Sequence, residues 1–202
     1  MKSVLALIAC PVVVLAASIS RRIQPAPFEP FTAGAWRIPQ NDDVFFVGTG
    51  INASGGKFYI NRNTSTYCPD GVSGLDCSLY SGSSTTFVIG NGTTTMSLDV
   101  TVPGGQQVYL APDGALSYTQ AHSASMPPGS NVTGFSREQS QAGGAPTYLY
   151  SPAQYWFLCP VTEGEPRERT YQIFAASGNL EGCYGTQIRT YTPSLGHVWQ
   201  YA

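Results

Sequence analysis

Along the whole chain, no window of about twelve residues keeps apolar side chains at helical spacing without a Gly or Pro break. What the chain offers instead are short runs of β-branched and aromatic residues, divided by Gly, Asn, Asp, Ser and Pro. This punctuation restricts the fold more than any other feature, because it leaves only strands to build with. It predicts strands over 44–47, 57–61, 85–90, 94–100, 107–111, 116–119, 155–159, 170–175 and 186–192. The fold class expected is all-β: one antiparallel domain, a β-sandwich or jelly roll.

Two hairpins are specified in detail. In TTFVIGNGTTTMSLDV an Asn91-Gly92 step stands between two alternating runs, the strongest short hairpin signal there is. Used as a two-residue loop, it pairs Gly90 with Thr93, Ile89 with Thr94 and Phe87 with Met96. Phe87, Ile89, Met96 and Leu98 then share one face, and Val88, Thr95, Ser97 and Asp99 the other. In QVYLAPDGALSYT the Ala-Pro-Asp-Gly segment supplies a Pro-led turn, with Val108 and Leu110 inward and Gln107 and Tyr109 outward. A weak repeat offers an alternative architecture. GGKFYI from Gly55, GGQQVYL from Gly104 and PAQYWFL from Pro152 recur at 49 and 48 residues, a period that suits a β-trefoil.

The chain opens MKSVLALIACPVVVLAASIS, with one Lys2 before 14 apolar residues from Val4 to Ala17. That is too short to span a bilayer core of about 30 Å as a helix. Residues 1–20 read as a secretory signal peptide, with Arg21-Arg22 as a dibasic trimming site. Without residues 1–22 the chain keeps 7 basic and 12 acidic groups, a net charge of −5. Nucleic acid, which needs a dense positive footprint, is not an expected partner. The tail TPSLGHVWQYA is polar and aromatic, unlike a lipid-anchor signal, so no membrane anchor is expected.

Secretion sets the reading of the cysteines. Cys10 leaves with the signal peptide, and Cys68, Cys77, Cys159 and Cys183 form two disulfides in an oxidising compartment. Three connectivities are open, and closeness in sequence favours Cys68–Cys77 with Cys159–Cys183. Zinc needs other spacings and nearby histidines, so neither metal nor cofactor is expected. Four N-glycosylation triplets begin at Asn52, Asn63, Asn91 and Asn131, the third at the expected hairpin tip.

Two stretches read as irregular. The four prolines of 24–39 mark residues 23–43 as an extended lead-in, lying across the surface or along an edge, before an all-β domain over 44–202. Residues 123–146, rich in Ser, Gly, Pro and Gln, read as a long surface loop.

Residues that carry chemistry are scarce. His122 and His197 lie in no metal-spaced cluster, and neither nucleophile-elbow nor phosphate-loop motifs occur. Glycoside hydrolysis needs two carboxylates about 5 to 9 Å apart. Asp42, Asp43, Asp70 and Asp113 fall in turn segments, however, and Glu163, Glu165 and Glu168 alternate with Arg167 and Arg169 in a charged loop. No enzyme is expected. Twelve tyrosines, nine phenylalanines and three tryptophans are the better lead, because exposed aromatic faces stack on sugar rings. Trp36, Tyr109, Tyr118, Trp156, Tyr191 and Trp199 are the candidates for such a platform. Core packing competes for each of them, most strongly for Trp156 within Tyr-Trp-Phe-Leu-Cys-Pro.

FLCP at 157–160, YQIFA at 171–175 and EGCYG at 181–185, with NGTTTMSL and QQVYLAPDGALSYTQAH upstream, carry a family likeness over roughly residues 44–192. In these segments the chain resembles the secreted fungal cell-wall proteins of phialide and spore development (PhiA-like, also described as IgE-binding-protein-like). It departs from them in lacking a cysteine near the C-terminus and the family's Asp-Arg-Ser-Gly stretch. The resemblance implies a secreted, non-enzymatic structural glycoprotein of the wall or extracellular matrix, with wall polysaccharide or other wall proteins as partners. The residues themselves keep two alternatives open: a lectin-like carbohydrate-binding module using exposed aromatics, and a small glycoside hydrolase.

Overall fold

The computed structural model describes residues 29–41, 44–89, 94–139, 147–193 and 196–202. Among them the chain forms fifteen strands: β1 (Thr32–Arg37), β2 (Phe46–Gly50), β3 (Asn52–Ser54), β4 (Lys57–Ile60), β5 (Thr66–Tyr67), β6 (Phe87–Ile89), β7 (Met96–Leu98), β8 (Gln106–Leu110), β9 (Leu116–Tyr118), β10 (Ser136–Gln139), β11 (Thr147–Tyr150), β12 (Tyr155–Pro160), β13 (Tyr171–Ala176), β14 (Tyr184–Tyr191) and β15 (Gln200–Tyr201). One 3₁₀ turn, Cys77–Leu79, is capped by Asp76, whose carboxylate accepts from the Ser78 amide. The all-β, antiparallel class read from the punctuation holds.

Thirteen strands hydrogen-bond into one sheet, ordered β10-β11-β14-β12-β13-β4-β9-β8-β7-β6, with β1, β2 and β3 attached beside it; β15 pairs with β5 separately. The eight-residue β14 is the hub, pairing with β12 through Tyr184–Thr186, with β1 through Gln187–Tyr191, and with β11 through Arg189 and Thr190. The sheet also meets itself. Phe31, next to β1, exchanges both backbone hydrogen bonds with Phe87 of β6, and the Phe135 amide, next to β10, donates to Thr94, just before β7. Strands from opposite ends of the order are thereby joined around a single core.

That core is aromatic in its middle. Phe31 stacks on Phe87 at 5.7 Å between centroids, and Phe58 touches both Phe87 and Tyr118. Tyr201 is buried with its polar atoms answered: Gln106 brackets its backbone at 2.8 and 2.9 Å, while its hydroxyl accepts from Thr86 and donates to the Ser84 carbonyl. Burial of a phenol is tolerable only with such partners. Burial pushes the Tyr201 hydroxyl up to about 12, and that of Tyr118 likewise.

The disulfides are Cys68–Cys77 and Cys159–Cys183, the pairing that closeness in sequence favours. The first closes a short exposed loop. The second ties β12 to the turn that leads into β14.

Several expectations are corrected. Residues 32–37 of the Pro-rich lead-in do not lie at an edge: β1 is paired on both sides, with Ala33 and Ala35 buried. The prolines at 25, 27, 30 and 39 bracket this strand without entering it, so every amide the two ladders need is present. Within 123–146, Phe135 is fully buried, Asn131 bridges to Leu110, and β10 follows, so this segment is more than a surface loop. The first hairpin pairs Ile89 with Met96 and Phe87 with Leu98, a register two residues away from that of a two-residue Asn91-Gly92 loop. An even slip keeps each side chain on its face, so Phe87, Met96 and Leu98 are still buried. Gly90 to Thr93, Asn91 included, lie outside the described residues, as do residues 1–28 with the expected signal peptide. The second hairpin turns at Ala-Pro-Asp-Gly, and the Asp113 carboxylate accepts from the Ala115 amide at 3.0 Å. Here Tyr109 is buried, not outward. The three segments of the weak repeat hold unlike places: β4 pairs with β3, β9 and β13, β8 with β7 and β9, and β12 with β13 and β14. Among the described residues no threefold arrangement relates them.

Candidate functional site

The six aromatic candidates divide sharply. Tyr109, Tyr118 and Trp156 are core residues, and the Trp156 indole N–H is spent on the Leu149 carbonyl at 2.7 Å. The Trp199 ring meets Tyr80 edge-on at 5.4 Å. These four form no platform with one another, although Trp156 also lines the cleft beside Trp36. Trp36 and Tyr191, 155 residues apart, are brought together, and the indole N–H donates to the Tyr191 hydroxyl.

The pairing follows from strand register. Outward positions alternate along β1 and β14, and pairing of Thr32 with Tyr191, Gly34 with Arg189, and Trp36 with Gln187 sets Gly34, Trp36, Arg189 and Tyr191 on one face. Two glycines make room. Gly48, with φ near +78°, is the extra residue where Ala35 pairs with Thr49 but Trp36 with Val47, a β-bulge. A Cβ there would lie 3.2 Å from the Tyr191 hydroxyl and 3.4 Å from the Trp36 Nε1. One at Gly34 would lie 3.1 Å from the Tyr191 ring. Both rings therefore rest on bare backbone.

Arg189 completes the cluster, and aromatic candidates alone did not include it. Its guanidinium carbon stands 3.7 Å from the centre of Trp36 and 5.7 Å from that of Tyr148, which follows Arg189 across to β11. The signal was present in Gln-Ile-Arg-Thr-Tyr, where alternation places Gln187, Arg189 and Tyr191 on the side opposite the buried Ile188 and Thr190.

Beside Trp36 opens a cleft of about 460 Å³, whose walls include Arg189, Tyr155, Gln187, Asn179 and Gln40. Tyr155 is 51% exposed at its rim. Tyr191 lines a second hollow, of about 260 Å³, so the hydrogen-bonded Trp36–Tyr191 pair stands between the two. Among the described residues neither hollow has an Asp or Glu in its wall. Nor does any group of three His, Cys, Asp or Glu there lie close enough to hold a metal. His122 is exposed, and Asp76 and Asp113 serve the turns already noted.

The glycosylation triplets differ from one another. The Asn52 amide nitrogen donates to the Arg62 carbonyl at 2.7 Å, its oxygen accepts from Thr64, and Ser54 is buried. Asn63 and Asn131 are exposed, and Asn131 uses only its oxygen, accepting from the Thr133 amide and hydroxyl.

Fold and face define a class: an antiparallel, two-disulfide β-protein presenting an arginine-braced aromatic surface above a cleft. The chain belongs to one family with an uncharacterized secreted protein of Arthroderma benhamiae, to which it is 32% identical over 161 residues, spanning 75% of this chain and 76% of that one. No family model and no solved structure matches it.

Proposed function

We propose that this is a secreted, non-enzymatic glycoprotein of the fungal wall or extracellular matrix that holds polysaccharide on the Trp36 face, in the manner of a lectin. One observation carries the reading. Trp36, fixed by Tyr191 on one edge and by Arg189 on its face, borders a cleft with the half-exposed Tyr155 and the amides of Gln187, Asn179 and Gln40. Flat apolar rings beside amide groups match a sugar, whose faces are C–H and whose rim is hydroxyl. Among the described residues the wall carries no carboxylate, whereas both glycosidase geometries use two. A secreted relative and the leader at residues 1–20 support an extracellular place, and the FLCP, YQIFA and EGCYG segments support a PhiA-like wall protein.

The test is retention of the mature chain on chitin and β-glucan, beside its Tyr155→Ala variant. Tyr155 is exposed enough to be removed without emptying the core. Loss of about 1.4 kcal/mol of stacking lowers affinity about tenfold. Equal retention of the two proteins, or none of either, would sink the reading.

A further inference from the structure

Arg189 is a feature of this face that a neutral sugar does not explain; the other arginine of the cleft wall, Arg37, donates to the Val44 carbonyl and to the Gln40 side chain. Among the described residues its guanidinium has no hydrogen-bond or ion-pair partner; it is held by ring faces alone, Trp36 on one side and Tyr148 on the other. Its Nε is shut away from solvent without an acceptor. Its terminal nitrogens likewise meet no acceptor among the described residues, and a guanidinium on a cleft wall is a ready partner for an anion. With Nε enclosed, that anion can be met only from the two terminal nitrogens, on a residue that lines the cleft. No carboxylate of the described wall competes for them.

We infer that the cleft takes a carboxylated sugar, a uronic acid unit, with its carboxylate on the terminal nitrogens of Arg189 and its ring against Tyr155, beside Trp36. This rests on the polysaccharide-holding role proposed above and names the kind of sugar. A guanidinium held over an indole by its carbon leaves its terminal N–H groups for another partner, and their fork matches the planar, two-oxygen carboxylate. The mature chain carries a net charge of −5, which repels polyanions in general. Recognition is therefore local, and short acidic oligosaccharides suit the cleft better than long polymers.

The decisive comparison uses the mature, disulfide-bonded protein in calorimetric titrations. Its ligands are a trigalacturonate, the same trisaccharide as its methyl ester, a chitin trisaccharide and a sulfated disaccharide. The expected result is binding of the free acid at least tenfold tighter than of the ester or the chitin fragment. Arg189→Met should remove that margin, so that the acid and its ester then bind alike. The ester comparison needs no variant, so misfolding of Arg189→Met cannot hide the answer. Equal affinity for acid and ester overturns the inference, and neutral binding that is lost in Tyr155→Ala would then leave the polysaccharide-holding role standing. Preference for the sulfated sugar overturns the carboxylate assignment. Absence of binding to all four removes both readings.

Discussion

The atoms of Asn52 decide its fate as a glycan acceptor. Transfer needs the amide nitrogen free and the triplet reachable, yet this nitrogen is bonded to Arg62 and Ser54 is buried. Asn63 and Asn131 are exposed, and at Asn131 the nitrogen takes part in none of the bonds made by its oxygen. Enzymatic deglycosylation in heavy-oxygen water, followed by peptide mass spectrometry, should label Asn63 and Asn131 and leave Asn52 untouched; label at Asn52 would mean that glycosylation precedes folding there. Two tyrosines predict a response to alkali. Burial raises Tyr201 and Tyr118 from their ordinary value near 10 up to about 12, so the fold holds the neutral phenols. Their contribution to stability is complete below about pH 10 and is lost as pH climbs through 12. Absorbance at 295 nm should show these phenols ionising after the exposed ones, with the melting temperature falling across the same interval. A melting temperature that stays level from pH 10 to 12 would contradict the burial argument.

At the scale of elements, the two disulfides constrain unequal loops. Cys159–Cys183 spans 24 residues and joins β12 to the approach of β14, whereas Cys68–Cys77 spans 9 residues of mostly exposed chain. Loop-closure entropy assigns about 3.5 kcal/mol to the first and about 2.7 kcal/mol to the second. Urea unfolding of the Cys→Ser double variants should reproduce that order, and a larger loss at 68/77 would show that the exposed loop is tied to the core by more than its crosslink. Sequence legibility follows similar lines. Strands at 57–60, 106–110, 155–160 and 184–191 were readable because β-branched and aromatic residues dominate them. Thr-Ala-Gly-Ala-Trp-Arg was not, since its small residues serve close strand approach rather than display a pattern. Tyr-Leu-Tyr of β11 was hidden behind the polar composition of 123–146. Of the site, Trp36 and Tyr191 were visible as aromatic residues, but their meeting depends on the β1–β14 register and on the Gly48 bulge, which no local pattern announces. Buried Tyr109 and Tyr118 show the limit of composition: hydroxyl-bearing rings read alike whether they face water or a core.

For the molecule as a whole, the question is whether closure of the sheet is a local contact or part of one cooperative unit. Phe31 and Phe87 join β1 to β6 through two backbone hydrogen bonds and a stacked ring pair, with the Arg137 guanidinium 4.8 Å over Phe31. Phe31 is fully buried, so Phe31→Ala removes the ring from a packed site that cannot fully collapse, at a cost of about 3 to 5 kcal/mol. How that loss spreads depends on what β1 holds. Its residues pair with β14 over five positions and with β2 on the other side, and β14 in turn carries β11 and β12. Loosening β1 therefore loosens the hub, including the face where Trp36, Arg189 and Tyr191 meet. Amide hydrogen exchange should then show protection falling together in β6, β1 and β14, with the Ile188 amide losing as much as Phe87. Loss confined to the amides of Phe31 and Phe87 would mean that the sheet stands without its closing contact, and that the Trp36 face is braced by β14 alone.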